Sequence, residues 1–302
     1  MWFWFAIIAL ICWSGSDLFS KIGCRDADDK YSHLKMVSAV GVVMGLHAAY
    51  EIFIGGVEIN FDIILGYLPV SLLYIFSMIL GYVSLRYIEL SISSPICNSS
   101  GALVAIVSII LYGTRGVNPW MLVAVTLVCL GVIGLGVVES REDEALRLAR
   151  QEKSNYKYSK SALAIILPIA YCLLDAAGTF ADSEVLKNMN EDSANVAYEL
   201  TFLLMGIACF IYVKLIKKQK YIIKREGAKF TGAIFETAGQ FAYIYALADE
   251  EHVMFSAPII SSYCVLSVVW SRIILKEKLS FKHYLAILTV FVGIIILGIF
   301  DV

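Results

Sequence analysis

The sequence predicts an all-α membrane protein, with ten transmembrane helices arranged as two inverted five-helix repeats. Three observations carry this reading. Of 302 residues, 59% are apolar and only 17% charged, with a mean hydropathy of +0.76, a composition that suits lipid better than water as the surrounding solvent. Ten apolar runs are each long enough to cross a hydrocarbon layer of about 30 Å as a helix. One long polar run, ESREDEALRLARQEKSNYKYSK at residues 139–160, divides the chain almost at its midpoint. The expected organisation is a first repeat at 1–138, a charged linker at 139–160 and a second repeat at 161–302.

Composition also excludes classes. A net charge of −2 and an isoelectric point near 6.1 leave no basic footprint for nucleic acid. Seven cysteines (Cys12, Cys24, Cys97, Cys129, Cys172, Cys209 and Cys264) form no CxxC pair, and all but Cys24 lie in apolar runs. They read as free thiols used as small apolar side chains, with no metal site expected. The N-terminus lacks the basic region and the small-residue cleavage pattern of a signal peptide, so it is read as a first span that stays.

The spans fall at about 2–20, 36–54, 63–85, 92–112, 119–138, 161–181, 195–215, 230–248, 253–274 and 283–301. The breaks between them are chemically sensible. Arg25–Lys30 is charged, Gly55-Gly56 is a turn, Gly113–Pro119 holds two glycines and a proline, and Asp249-Glu250-Glu251 is acidic. Pro119 followed by Trp120 suits a first helical turn at an interface, where a missing N–H costs nothing and indole is at home. The odd-numbered loops and their helix ends hold 22 of the 24 Lys and Arg residues, against Arg115 and Lys187 in the even ones. Cytoplasmic loops collect positive charge, so the odd loops are expected inside a plasma membrane and both termini outside.

A repeat is visible across the linker. Gly131-Val132-Ile133-Gly134-Leu135-Gly136 parallels Gly293-Ile294-Ile295-Ile296-Leu297-Gly298. Ile110-Leu111 with Trp120 parallels Ile274-Leu275 with Tyr284, Trp13-x3-Asp17 parallels Tyr171-x3-Asp175, and Met44-Gly45 parallels Met205-Gly206. A unit with an odd number of spans must re-enter the membrane from the other side, so the repeat is inverted. That arrangement marks transporters whose substrate sites lie near the midplane.

Further residues carry a family resemblance. They are Trp13-Ser14-Gly15 with Lys21 in the first span, Ser94-Pro95 opening the fourth, Ala257-Pro258 opening the ninth, and Leu275-Lys276-Glu277-Lys278-Leu279 before a glycine-rich last span. In these the chain resembles the drug/metabolite transporter superfamily, and within it the EamA-like ten-helix transporters, over nearly its whole length. The Glu277 segment looks like that family's acidic turn, whereas the first half has Gly113-Thr114 in its place. The resemblance implies alternating access and a central cavity lined mainly by the first, third, fourth, sixth, eighth and ninth spans.

Ionisable groups inside a membrane are costly and need a compensating role. Glu236 lies mid-span with Gln240 and Tyr243 at i+4 and i+7, on one helical face. Tyr171, Asp175, Thr179 and Asp182 form a similar stripe. Asp17 could instead pair with Lys21 one turn on, Asp182 at a span end reads as solvated, and Glu199 near a span start could snorkel to headgroups. His47 reads as a packing residue. Trp13, Tyr74, Tyr171, Tyr243 and Tyr263 lie well inside spans, where a ring face could hold an ammonium group. Asn98, Ser99, Ser100, Ser261 and Ser262 are polar runs that serve either a ligand or close helix contact.

The expected substrate site is therefore Trp13, Asp17, Tyr74, Asn98, Tyr171, Asp175, Glu236, Gln240, Tyr243 and Tyr263, with Asp175, Glu199 and Glu236 as proton-coupling candidates. The leading function is a secondary transporter of a small polar metabolite, leaning toward amines or cations, with proton coupling open. The alternative is a non-transporting membrane scaffold or assembly factor on the same fold. An enzyme is disfavoured: Asp17 and Asp175 lack the YD/GxGD setting of aspartyl proteases, and no HExxH occurs. No cofactor is expected, nor an ATP-binding signature. The expected partners are membrane lipid and a small-molecule substrate, with no nucleic acid, and the chain acting as a monomer or homodimer.

Overall fold

The computed structural model describes residues 1–25, 28–88, 90–114, 117–140, 163–276 and 279–300. Linker residues 141–160 and Glu277 lie outside the described residues, while Glu139 and Ser140 end the helix that precedes the linker. Twelve α-helices account for nearly all of the rest: α1 (Trp2–Cys24), α2 (Ser32–Tyr50), α3 (Phe61–Tyr87), α4 (Leu90–Cys97), α5 (Ser100–Tyr112), α6 (Pro119–Ser140), α7 (Leu163–Val185), α8 (Glu191–Ile211), α9 (Ile223–Leu247), α10 (Val253–Ser261), α11 (Tyr263–Trp270) and α12 (Phe281–Phe300). No strand occurs among the described residues. The protein is an integral, multi-pass membrane protein. Eight helices among the described residues, counting α4 with α5 and α10 with α11 each as one, are long and apolar enough to cross a bilayer. The other two long helices are α7, which carries Asp175 and Asp182, and α9, which carries Glu226, Lys229 and Glu236.

Local chemistry sets the helix ends. Asn60 Oδ1 accepts from Ile63 N at 2.9 Å and Asn190 Oδ1 from Ser193 N at 3.1 Å, satisfying orphan donors at the starts of α3 and α8. Gly113 ends α5 at φ +74°, a conformation that a Cβ would penalise. α4 and α5 are one path broken at Asn98-Ser99, three residues after Pro95. α10 and α11 are broken at Ser262, four after Pro258. At each break a short polar side chain bonds back to the carbonyls of the preceding turn, Asn98 to Ser94, Ser99 to Pro95 and Ser262 to Ile259, in competition with continuation of the helix.

Several helices run further than their apolar runs. α2 begins at Ser32 and α9 at Ile223, so Lys35, Glu226 and Lys229 are helical and buried. They are neutralised together: Lys35 Nζ lies 2.7 Å from Asp29 and 3.8 Å from Glu226, and Lys229 lies 3.0 Å from Glu226. The apolar run measures the hydrocarbon layer, and the helix continues past it wherever its charges find partners.

Packing runs across the two halves. α1 lies on α9, α3 on α7, α2 on α8, α6 on α12, α5 on α10 and α4 on α11. Glycines let backbones meet: a Cβ on Gly41 would come within 2.9 Å of Gly206 Cα, and the reverse also holds. Gly206 and Gly41 therefore face each other across the α2–α8 contact. The outward surface is apolar, with Trp4, Phe53, Leu204, Ile234 and Phe281 exposed, as lipid contact requires.

Candidate functional site

A cavity opens midway along the helices, between α1, α3, α4, α7, α9 and the α10–α11 break, with Tyr198 of α8 at its side. These are the six spans implied by the resemblance, joined by one residue of a seventh. All ten residues expected at the substrate site line it. The space encloses about 60 Å³, room for a few waters.

Three carboxylates face it, each held by hydroxyls. Glu236 Oε2 accepts from Ser16 Oγ at 2.7 Å, and Asp175 Oδ2 from Ser100 Oγ at 2.7 Å. Asp17 Oδ2 accepts from Ser94 and, at 2.9 Å, from Ser267. Asp17 thus does not pair with Lys21, whose ammonium donates to the carbonyls of Leu85 (3.0 Å) and Ile88 (2.8 Å) at the end of α3. The wall contains no Lys, Arg or His among the described residues.

Aromatic rings fill much of the remaining wall. Trp13 packs on Tyr243 with centroids 4.9 Å apart and meets Tyr263 edge-on at 5.8 Å. Tyr74 and Tyr243 share a short hydroxyl–hydroxyl bond, and Tyr243 donates to Thr179 at 3.1 Å. Asn98 Nδ2 bonds back to Ser94 O at 2.8 Å, closing the break after α4. Ser99 and Ser262 bond to backbone within their own segments, while Ser100 reaches Asp175, so the polar runs divide between helix closure and the cavity. Three polar groups on the wall are buried without a hydrogen-bond partner among the described residues: Ser20 Oγ, Tyr82 Oη and Gln240 Nε2. Unmet donors around a polar space are what a ligand or water satisfies.

Two further acids differ from expectation. Asp182 is wholly buried, not solvated: it accepts from Tyr67 at 2.6 Å and Tyr74 at 3.4 Å, behind the cavity wall. Its place near the end of α7 suggests water, but α3 covers it. Glu199 does not snorkel. It is fully buried, 2.9 Å from His47 Nδ1, while Nε2 of the same ring lies 3.7 Å from Glu51, and this group stands apart from the cavity. Ser16, Ser20, Tyr82 and Tyr198 were missed as site residues, because serine and tyrosine are ordinary in a membrane span and only packing brings them together.

Residues 162–299 match the family model described as the EamA-like transporter family, of the drug/metabolite transporter superfamily. The match covers the second half of the chain. That half supplies α7, α9, α10 and α11, and so Asp175, Glu236 and most of the rings at the site. A solved structure titled only "Crystal structure of protein" superposes with a TM-score of 0.65 at 13% identity, covering 99% of this chain and 96% of its own. At that identity the likeness speaks for the fold alone. No curated protein sequence matches the chain.

Proposed function

We propose that this EamA-like protein is a secondary active transporter that moves a small amine-bearing or cationic metabolite by alternating access. The observation that carries the reading is the charge of the cavity. Asp17, Asp175 and Glu236 face one space with hydroxyl partners and no basic residue on its wall among the described residues. Buried carboxylates without a counter-charge are expensive. The missing positive charge comes from a bound cation, for which the ring faces of Trp13, Tyr243 and Tyr263 are further ligands, or from protons. Asp175 and Glu236 are the carboxylates placed to exchange protons with the cavity. The alternative scaffold would fill this space with side chains, and the unmet donors of Ser20, Tyr82 and Gln240 weigh against that.

The architecture we propose is ten spans in two inverted repeats, 1–138 and 161–302, joined by the linker 139–160. Exchanging the halves maps the packing pairs onto one another: α1 on α9 becomes α7 on α3, α4 on α11 becomes α10 on α5, and α2–α8 and α6–α12 map onto themselves. The same holds for residues. Gly131 meets Ala286 and Val290 as Gly293 meets Ala124 and Val128, and Trp13 sits on Gly239 as Tyr171 sits on Gly81. One chain then holds a full pathway, as a monomer or homodimer. The lysine-rich loops place both termini outside the plasma membrane.

Counterflow in proteoliposomes tests this. Small primary and quaternary amines should exchange, and Glu236→Gln should abolish exchange. If binding survives in Glu236→Gln while pH-driven exchange fails, the carboxylate carries protons and does not hold substrate. Exchange of neutral or anionic metabolites alone, intact in Glu236→Gln, would overturn the cation reading.

A further inference from the structure

The segment 212–225, YVKLIKKQKYIIKR, joins α8 to α9 and holds five lysines and an arginine without one acid. The last turn of α8 loosens into a π turn at Tyr212–Ile216, and Lys218 takes a left-handed φ of 53°. Gln219 N then donates to Val213 O at 3.0 Å. The chain thus folds back over the end of α8 as a compact cap.

The next acid along the chain, Glu226, turns inward to Lys229 and Lys35 and is consumed there. Lys214, Lys217, Lys218, Lys220 and Lys224 are exposed, and among the described residues none pairs with a carboxylate. Leu215, Ile216, Ile222 and Ile223 are exposed between them, Ile223 to 90%. Ammonium groups beside bare aliphatic side chains fit a membrane interface, where the apolar side chains enter acyl chains and the lysines reach headgroup phosphates.

We propose that residues 212–225 form a docking site for anionic phospholipid headgroups of the adjoining leaflet. The charge complement is a phosphodiester with net negative charge, because a zwitterionic headgroup would bring its own cation to the lysines. Each basic residue near such a surface contributes about fivefold in affinity. The site borders the start of α9, the helix that carries Glu236, and it stands whatever passes through the central cavity.

The test is native mass spectrometry of the full chain in detergent, titrated with phosphatidylglycerol or phosphatidylcholine. The wild type should retain phosphatidylglycerol preferentially. A triple variant Lys214→Gln, Lys218→Gln, Lys220→Gln should lose that preference by on the order of 100-fold. Its phosphatidylcholine adducts and melting temperature should be unchanged, and the matching Lys→Arg triple should keep the preference. Equal retention of both lipids by the wild type, or a preference that survives the Gln triple, would overturn the proposal. Displacement of phosphatidylglycerol by inorganic phosphate at comparable concentration would also overturn it, since that marks a bare phosphate site.

Discussion

The indole of Trp13 occupies the space that a side chain at Gly239 would need: a Cβ there would lie 2.3 Å from Trp13 Cδ1 and 2.6 Å from Nε1. The cavity wall is therefore set by where a glycine on α9 lets a ring on α1 approach.

Gly239→Ala should push the indole off its seat and destabilise by about 1–3 kcal/mol, with loss of any ligand that uses the ring. Gly134→Ala meets nothing within 4 Å, and inside a helix it should be neutral or stabilise by up to about 1 kcal/mol. Thermal unfolding of the two variants in one detergent checks this. Equal effects would mean that the Trp13–Gly239 contact does not set the packing.

Tyr67→Phe removes the 2.6 Å donor from buried Asp182 and leaves the carboxylate with the longer bond from Tyr74. An under-satisfied buried group costs about 1–3 kcal/mol. We expect a lower melting temperature. Because Tyr74 is bonded to both Asp182 and Tyr243, weaker cavity binding should accompany it. A fall in stability with unchanged ligand affinity would confine Asp182 to a structural role.

Glu199 and His47 tie α8 to α2 away from the cavity. Glu199→Gln should lower the melting temperature while leaving the affinity of cavity ligands unchanged. A shift in affinity, read by titration of the same ligand on both proteins, would couple this pair to the site and support Glu199 as a proton-coupling residue.

Much of this was legible in the sequence because membrane helices are signalled by one-dimensional runs. The i, i+4, i+7 face of Glu236, Gln240 and Tyr243 does line one cavity, as helical spacing requires. What sequence hid depends on partners far along the chain. Asp182 meets Tyr67 across 115 positions, and Ser16 meets Glu236 across 220. No local pattern announces either. Helix starts failed for a related reason: Lys35 and Lys229 look like loop charges until Asp29 and Glu226 are placed beside them. The Asp17–Lys21 spacing misled in the opposite direction, since a favourable i, i+4 pair gave way to hydroxyls from α4 and α11.

The most direct measurement is a thermal-shift ligand screen on the purified protein across amines, amino acids, sugars, nucleosides and organic anions, with Glu236→Gln alongside. A ligand held at about 100 times its dissociation constant adds roughly 2.7 kcal/mol to the folded state, a clear rise in melting temperature. The account predicts hits confined to cationic compounds and lost in Glu236→Gln. Hits among neutral or anionic metabolites that persist in the variant would contradict it.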